Sequence, residues 1–389
     1  MPVLKKIVSY LLGLIVLFLV LGARPLRQDQ EDDFSAAHHG PVDTVAGPDN
    51  IQSGNSETVH SQEHEKFDPG EFIFDHIADS YEWHILTYND FHLSIPLPVI
   101  VYSELKGLNI FLFSRFQHGH SDYRGFRFET SGPNEGKVTE VMPDGTTMLP
   151  ELDISFTKDA FAIMVSLLLM LGIFLSVAKA YRSREGKAPT GLQNLVEPFI
   201  VFIRDEVAVP SIGEEKSLKF LPYLLTIFFF IWINNMLGII PVFPAGANVT
   251  GNITVTMLLA VFTFFITTIN GNKEYWRHIF NMPGVPWWLK FPVPLMPIIE
   301  VVGMFTKPFV LMVRLFANIS AGHIIALGFF SIIFIFGQMQ VALGFAVSPL
   351  TIVFTVFMSM LELLVALIQA YVFTLLSALY FGMATVEEH

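Results

Sequence analysis

Arg314 stands in the middle of strongly apolar sequence, with Phe309 to Val313 before it and Leu315 and Phe316 after it. A further apolar run extends from Ile324 to Phe336. A guanidinium does not escape its charge by a pKa shift, since its pKa lies above about 12. Its cost at the centre of a bilayer ranges from about 3 kcal/mol on insertion scales to about 10–17 in simulations of a lone helix. A chain that keeps it there needs a wet cavity, a partner or a purpose for it. The apolar stretches on this part of the chain, roughly 293–336 and 349–382, are too long for simple spans. At 1.5 Å per residue the second alone reaches about 50 Å, against a hydrocarbon core of about 30 Å. Such helices must tilt steeply, break or lie partly along the membrane. Pro292, Pro294, Pro297 and Pro308 predict that the first begins as interrupted helix.

The whole chain is apolar: 389 residues, 52% of them hydrophobic, with a mean hydropathy of +0.53. The formal charge of -12 comes mostly from acidic residues before Ala160, where most of the histidines also lie. That surplus argues against nucleic acid as a partner. With no cysteine, disulfides, thiolate chemistry and Cys-based zinc sites are excluded. Residues 1–23 combine Lys5 and Lys6, an apolar run and Gly22-Ala23, the layout of a signal peptide or a retained N-terminal anchor. Residues 24–67 are polar and read as a flexible linker. His38, His39, His60 and His64 have no regular ligand spacing there, so no metal is expected. Residues 68–157 read as a small extracytoplasmic domain of short antiparallel strands. Strands are predicted at Phe91–Ile95, Val99–Tyr102 and Leu108–Phe113, with turns at Lys106-Gly107, Gly132-Pro133 and Asp144-Gly145. Asp75-His76 to Trp83-His84 reads as an amphipathic helix or a binding surface.

Residues 158–389 read as the membrane domain. The fold expected is a mainly α, polytopic membrane protein of about five membrane helices, the last two long and slanted, plus the small β-containing domain. Spans are expected at Ala160–Ala180, Phe220–Ile240 and Ile253–Ile269, followed by the two long stretches. Between the first two, Leu192, Leu195, Phe199, Ile200 and Ile203 recur at helical spacing, which predicts an amphipathic surface helix. The basic residues near Arg182 to Lys219 and around Lys273, Arg277 and Lys290 place those loops in the cytoplasm. The basic-free stretches 242–252 and 337–349 then lie outside, and the C-terminus is cytoplasmic.

Few polar residues interrupt the last two stretches: Glu300, Lys307, Arg314, Asn318, His323, Glu362 and Gln369. Glu300, Lys307 and Arg314 are seven apart, on one helical stripe, with Asn318 four further on; Glu362 and Gln369 are also seven apart. One polar seam on each helix suggests two helices facing each other, or a third partner, across a narrow wet zone. Ionisable residues inside a membrane mark ion paths by default. Arg314 attracts carboxylates and relays no proton. His323 and Glu362 suit proton passage; Asn318 and Gln369 hydrogen-bond without adding charge. Plainer roles stand beside these: Glu300 and Lys307 as interfacial groups, His323 as a core histidine, Asn318 and Gln369 as links between helices.

At these residues the chain resembles subunit a of the rotary F-type ATP synthase, over roughly Asp159 to His389. The motif is Val313-Arg314-Leu315-Phe316-Ala317-Asn318 with Ala321-Gly322-His323. It is supported by Asn235 to Pro241, Glu300 to Lys307-Pro308, and Glu362 with Gln369-Ala-Tyr-Val-Phe-Thr. The resemblance implies a non-catalytic proton-channel subunit in a bacterial inner membrane, with no cofactor. It implies the ring of c subunits, the b subunits of the peripheral stalk, other synthase subunits and the lipid bilayer as partners. It makes Arg314 the essential ring-facing arginine with Gln369 near it. His323, Glu362, Asn318 and Asn235 fall on the proton path, with Glu300 and Lys307 towards the cytoplasm. The His-then-acid order of His323 and Glu362 reverses that of many bacterial members. Gly238 stands where some members have an acid, and it relays no proton. A self-contained secondary transporter or proton channel is the alternative.

Overall fold

The structure, a computed structural model, describes residues 13, 67–88, 91–184, 186–240, 243–281 and 295–385. The expected signal or anchor, most of the linker with its histidines, the Trp287–Trp288 loop, Pro241 and the last four residues lie outside the described residues.

The N-terminal part opens with helix α1 (Pro69–Ile77) and a hairpin of β1 (Glu82–Tyr88) and β2 (Phe91–Pro96). Strands β3 (Pro98–Ser103) and β4 (Gly107–Leu112) form a second hairpin, to which β8 (Leu152–Asp153) adds on the far edge of β3. A third small sheet joins β5 (Phe126–Phe128), β6 (Val138–Val141) and β7 (Thr147–Met148). Strand β3 buries Val99 and Val101, its alternate residues, against Phe111, Phe113, Phe116, Phe126 and Val138. Tyr81 closes this core, and its hydroxyl donates to Asp153 Oδ2 at 2.6 Å. The stretch from Asp75 to His84 is not one helix. Helix α1 ends at Ile77, and Trp83-His84 lie on β1, because Trp-His-Ile-Leu-Thr-Tyr is a β-branched and aromatic run paired with β2.

The membrane part begins at α2 (Lys158–Ser183). Thr157 caps it by accepting from the Ala160 amide, and Asp159 lies in its first turn, where the helix dipole favours an acid. Helix α3 (Leu192–Phe202), a π-helical turn (Ile203–Ala208) and a short turn (Val209–Ile212) follow. Their buried stripe is Val196, Ile203, Val207 and Ile212, while Leu192 and Leu195 of the predicted stripe stay exposed. Helix α4 (Glu214–Ile239) is the central post, buried from Phe220 to Ile231 against Phe174 of α2 and Phe373 and Phe381 of the last helix. Helix α5 (Ile253–Ile269) is followed, after a bend of 104°, by the short basic helix α6 (Lys273–Phe280). Two helices of 45 residues each complete the chain, α7 (Leu295–Met339) and α8 (Val341–Thr385). Among the described residues four helices are long and apolar enough to cross a membrane, or five with the bent pair.

The long helices depart from expectation in two ways. Helix α7 is continuous from Leu295 on, although it contains Pro297 and Pro308. Pro292 and Pro294, on which that expectation also rested, lie outside the described residues. Pro308 removes a single helical bond, which membrane helices tolerate when neighbours pack around it. The stretch 337–349, expected to lie outside between the two apolar stretches, is helical on both sides of Gln340. The helices meet at Gln340, Pro349 is inside α8, and the Leu343 and Gly344 amides donate to the Gln340 carbonyl. Apolar residues leave no reason for backbone there to stay unpaired in a membrane. The close turn is possible because a Cβ on Gly344 would approach Gly337 Cα at 2.9 Å.

The small domain docks on this frame through Trp83, which packs edge-on against Phe161 and Phe243, and through Phe72 of α1 beside Phe334 of α7. Burial and the nearby Asp153 carboxylate push the Tyr81 hydroxyl well above its ordinary pKa of 10.0, so it remains a donor. Tyr81→Phe is expected to cost about 1–3 kcal/mol, read as earlier proteolysis and a lower unfolding temperature of this domain in the full chain. An acid held protonated by the fold contributes stability below its unfolded pKa and loses it above. The wild-type domain is thus expected to weaken as pH rises beyond about 10, and Tyr81→Phe to be less sensitive there.

Candidate functional site

Continuous α7 places Glu300, Lys307, Arg314 and Asn318 on one side of one helix. Arg314 and Asn318 are exposed, surrounded by exposed Val310, Val313 and Ala317. Among the described residues, Arg314 is the one charged side chain of α7 or α8 that is exposed, and no hydrogen bond or ion pair holds it. Large apolar side chains are also exposed on these helices: Phe305, Phe309 and Val313 on α7, Leu361, Leu364 and Ile368 on α8. The guanidinium also lies close enough to Tyr380 of α8 to act on it electrostatically. Gln369 is buried on α8. Among the described residues neither it nor Asn318 bonds to Arg314.

Behind this surface the structure brings His323 and Glu362 together, with Nδ1 3.7 Å from Oε1, both side chains mostly covered. Small residues make the room. A Cβ on Gly322 would lie 2.7 Å from Glu362 Oε1. A Cβ on Gly238 of α4 would lie 3.7 Å from His323 Nε2 and 3.2 Å from the Ala247 carbonyl. The imidazole therefore occupies the space that a side chain at 238 would take. Glu362 Oε1 is buried without a hydrogen-bond partner among the described residues. Asn235 is buried beside them; it donates to the Ala366 carbonyl at 3.3 Å and accepts from Thr250. Thr250 belongs to the turn Val249–Gly251, whose Gly251 carbonyl accepts from Ser320 of α7 at 3.4 Å. Thr250 escaped the sequence reading, although the polar run Asn248-Val-Thr-Gly-Asn252 between two spans was a signal.

A second polar group lies towards the other end of α7. Lys307 Nζ is 5.9 Å from the Tyr380 ring. A small cavity there is lined by Lys307, Tyr380, Thr263, Thr267, Tyr275 and Met383. Glu300 is near enough to Tyr275 to act on it electrostatically. Thr263 pairs with the Tyr223 hydroxyl at 2.9 Å and with Ser377 at 3.4 Å, a buried hydroxyl chain leading off this cavity. Along α7, Arg314 thus stands between two polar groups, His323 with Glu362 on one side and Lys307 with its small cavity on the other. Among the described residues, no three metal-ligating side chains gather.

Comparison with known proteins adds two family matches. Residues 160–382 match the model described as ATP synthase A chain, and residues 72–158 match a domain of unknown function (DUF8433). Similar relatives include "ATP synthase subunit a 2" of Chlorobaculum tepidum, 44% identical over 256 residues, 63% of this chain and 69% of that one. The protein of the same name from Prosthecochloris aestuarii is 42% identical over 262 residues, 64% of this chain and 76% of that one. "ATP synthase subunit a" of Myxococcus xanthus is 40% identical over 245 residues, 61% and 75% of the two chains.

Gly322→Val forces bulk against Glu362 where none fits. Overpacking of this kind costs about 1–3 kcal/mol. Ion passage through the assembled protein, followed with a pH-sensitive dye in vesicles, is expected to slow about tenfold. Gly303→Ala, where a Cβ meets nothing within 4 Å, is expected to leave it unchanged.

Proposed function

This chain belongs to the ATP synthase A chain family, and from that premise we propose that Arg314 works against carboxyl groups carried past it on a ring of c subunits. Its function is proton translocation as subunit a of an F-type ATP synthase. It is a multi-pass membrane protein and channel component, and other subunits of that synthase are its partners.

The observation that carries the finer reading is the unpaired, exposed Arg314 on an apolar face. A permanent cation at membrane depth, left without a partner by its own chain, is satisfied by an anion from another. We assign two half-channels that do not meet. From outside, a proton passes Asn235, His323 and Glu362 and neutralises a ring carboxylate. A neutral carboxyl tolerates lipid where a bare carboxylate does not, so the loaded site turns away from Arg314. After nearly a full turn it releases the proton towards Lys307 and Glu300, and the fresh carboxylate is drawn to the guanidinium. Arg314 also bars direct leakage between the two paths. Asn318 and Gln369 tune the surface beside it through neutral hydrogen bonds. The driving force is about 2.3 kcal/mol per charge per 100 mV.

The two long helices support this geometry. Each is about 68 Å long at 1.5 Å per residue, so neither crosses the bilayer upright. Laid aslant, they offer a broad apolar wall with one charge in it, the shape a rotating ring needs to slide along. The basic connection after α2 and the basic helix α6 support a cytoplasmic place for those turns, with the small domain and the 243–252 loop outside. We assign the b subunits of the peripheral stalk as further partners. ATP chemistry takes place on other subunits, and this chain is not itself the catalyst.

Arg314→Ala is expected to abolish ATP-driven proton pumping by the assembled complex and to raise its passive leak, both read by dye quenching in inverted vesicles. Pumping at the wild-type rate would reject the reading.

A further inference from the structure

The β-rich domain sits against the start of α2, and a buried cluster of charges joins the two. The Asp159 amide donates to Asp79 Oδ1 at 2.9 Å. Asn252 Nδ2 donates to Asp159 Oδ2 at 2.9 Å, and Asn252 Oδ1 caps α5 through the Thr254 amide. Lys158 Nζ donates to the His76 carbonyl of α1 at 3.0 Å. Asp159 is only 4% exposed and Lys158 7%, whereas Asp79 reaches solvent. Asp159 Oδ1 is buried without a hydrogen-bond partner among the described residues.

The cluster points towards the His323–Glu362 pair. The Lys158 ammonium is close enough to His323 to act on it electrostatically. Asn252 and Asn248 lie on the same polar turn, and both amide atoms of Asn248 are buried without partners among the described residues. Next to Asn248, the Ala247 carbonyl and His323 Nε2 lie 3.2 and 3.7 Å from the place a Cβ on Gly238 would take. The polar turn that holds Asp159 through Asn252 therefore also reaches α7 at Ser320, one turn before His323.

Charge decides what this cluster does. Two carboxylates and one ammonium leave a net negative charge in a largely dry place. One shared proton makes the set neutral, so the pair is a proton site by construction. Asn252 fixes Asp159 Oδ2 and leaves Oδ1 to take and release that proton.

We infer that the N-terminal domain supplies the outermost acid of the proton path, with Asp79 taking protons from outside water and Asp159 passing them on towards His323. A hydronium gives its proton to the Asp79 carboxylate and leaves as water. The proton moves to Asp159 Oδ1, restoring the Asp79 carboxylate. It then moves to the His323 imidazole, restoring the Asp159 carboxylate. Asp79, Lys158 and Asp159 are the titratable groups at the outer end of this line, and His323 with Glu362 those at its inner end. The inference rests on the outer half-channel proposed above.

The test uses the whole synthase in liposomes, with ATP synthesis driven by a jump in outer pH. Variants Asp79→Asn, Asp159→Asn, Asp79→Glu and Arg314→Ala are compared at equal amounts of assembled complex. Synthesis by the two asparagine variants is expected to fall by about tenfold or more at neutral outer pH. Its dependence on outer pH should shift towards acid, and Asp79→Glu should restore most of the rate. A merely structural pair would move neither the pH midpoint nor the glutamate rescue. Should Asp159→Asn fail to assemble, Asp79→Asn decides alone, because Asp79 is exposed and lies outside the membrane helices. Wild-type rate and midpoint in Asp79→Asn, with coupling lost in Arg314→Ala, would overturn this inference and leave the proposed function standing. Coupling kept in Arg314→Ala would overturn that function first.

Discussion

An arginine that cannot lose its charge sits on an apolar wall and has no anion of its own among the described residues. Everything near it is arranged so that it stays so. The acids of the long helices are held elsewhere: Glu362 faces His323 behind the surface, and Glu300 lies near Tyr275 at the far end of α7. An internal salt bridge would have quenched the guanidinium and stabilised this chain alone. A cation kept available stabilises only what comes to meet it. That is a poor arrangement for a solitary folded chain and a good one for a component whose anions ride on a neighbour.

The frame that keeps the charge in place is built from small residues at a few contacts. Gly322 lets Glu362 come close to α7, Gly238 leaves room for the His323 ring, and Gly344 lets the two long helices turn at Gln340. Gly382 lets α8 pack against the backbone of Ser211, which ties its far end to the short turn before α4. Where no side chain intervenes, backbones approach closely, and helix packing in membranes depends on such approach. The central helix α4 then needs no charge to be held. Its phenylalanines are buried on several sides, and its Asn235 is left to accept from Thr250 of the 243–252 loop and to donate to the Ala366 carbonyl of α8.

Much of the membrane part was legible in the residues. Ile253–Ile269 formed as an apolar run bounded by Asn252 and Asn270, and the seven-residue spacing of Glu300, Lys307 and Arg314 became one face of a helix. Length alone called for two stretches too long to be simple spans, and each became a helix of 45 residues. Proline misled: Pro297 and Pro308 both lie within a continuous helix, because in a membrane the alternative is unpaired backbone, which costs more than a missing N–H. Trp83-His84 misled too, since one short stretch of mixed residues fits a helix or a strand until its pairing partner is known. The pairings that matter most were out of reach. Asp79 meets Asp159, and Asp159 meets Asn252, across 80 and 93 residues, and no spacing rule spans such a gap.

Those long-range bonds bear on why the β-rich domain is docked rather than tethered. A domain carried only for solubility or spacing would need no buried charges where it meets the membrane part, since an apolar contact like that of Trp83 with Phe161 and Phe243 suffices for attachment. Burying Lys158 and Asp159 costs desolvation, and replacing such groups with apolar side chains of similar volume is often neutral or stabilising. Groups of that kind are informative because stability does not explain them. They lie beside a buried carboxyl oxygen that has no hydrogen-bond partner among the described residues. On this argument the domain is part of the path's mouth, and the cost of its buried charges belongs to proton handling rather than to folding.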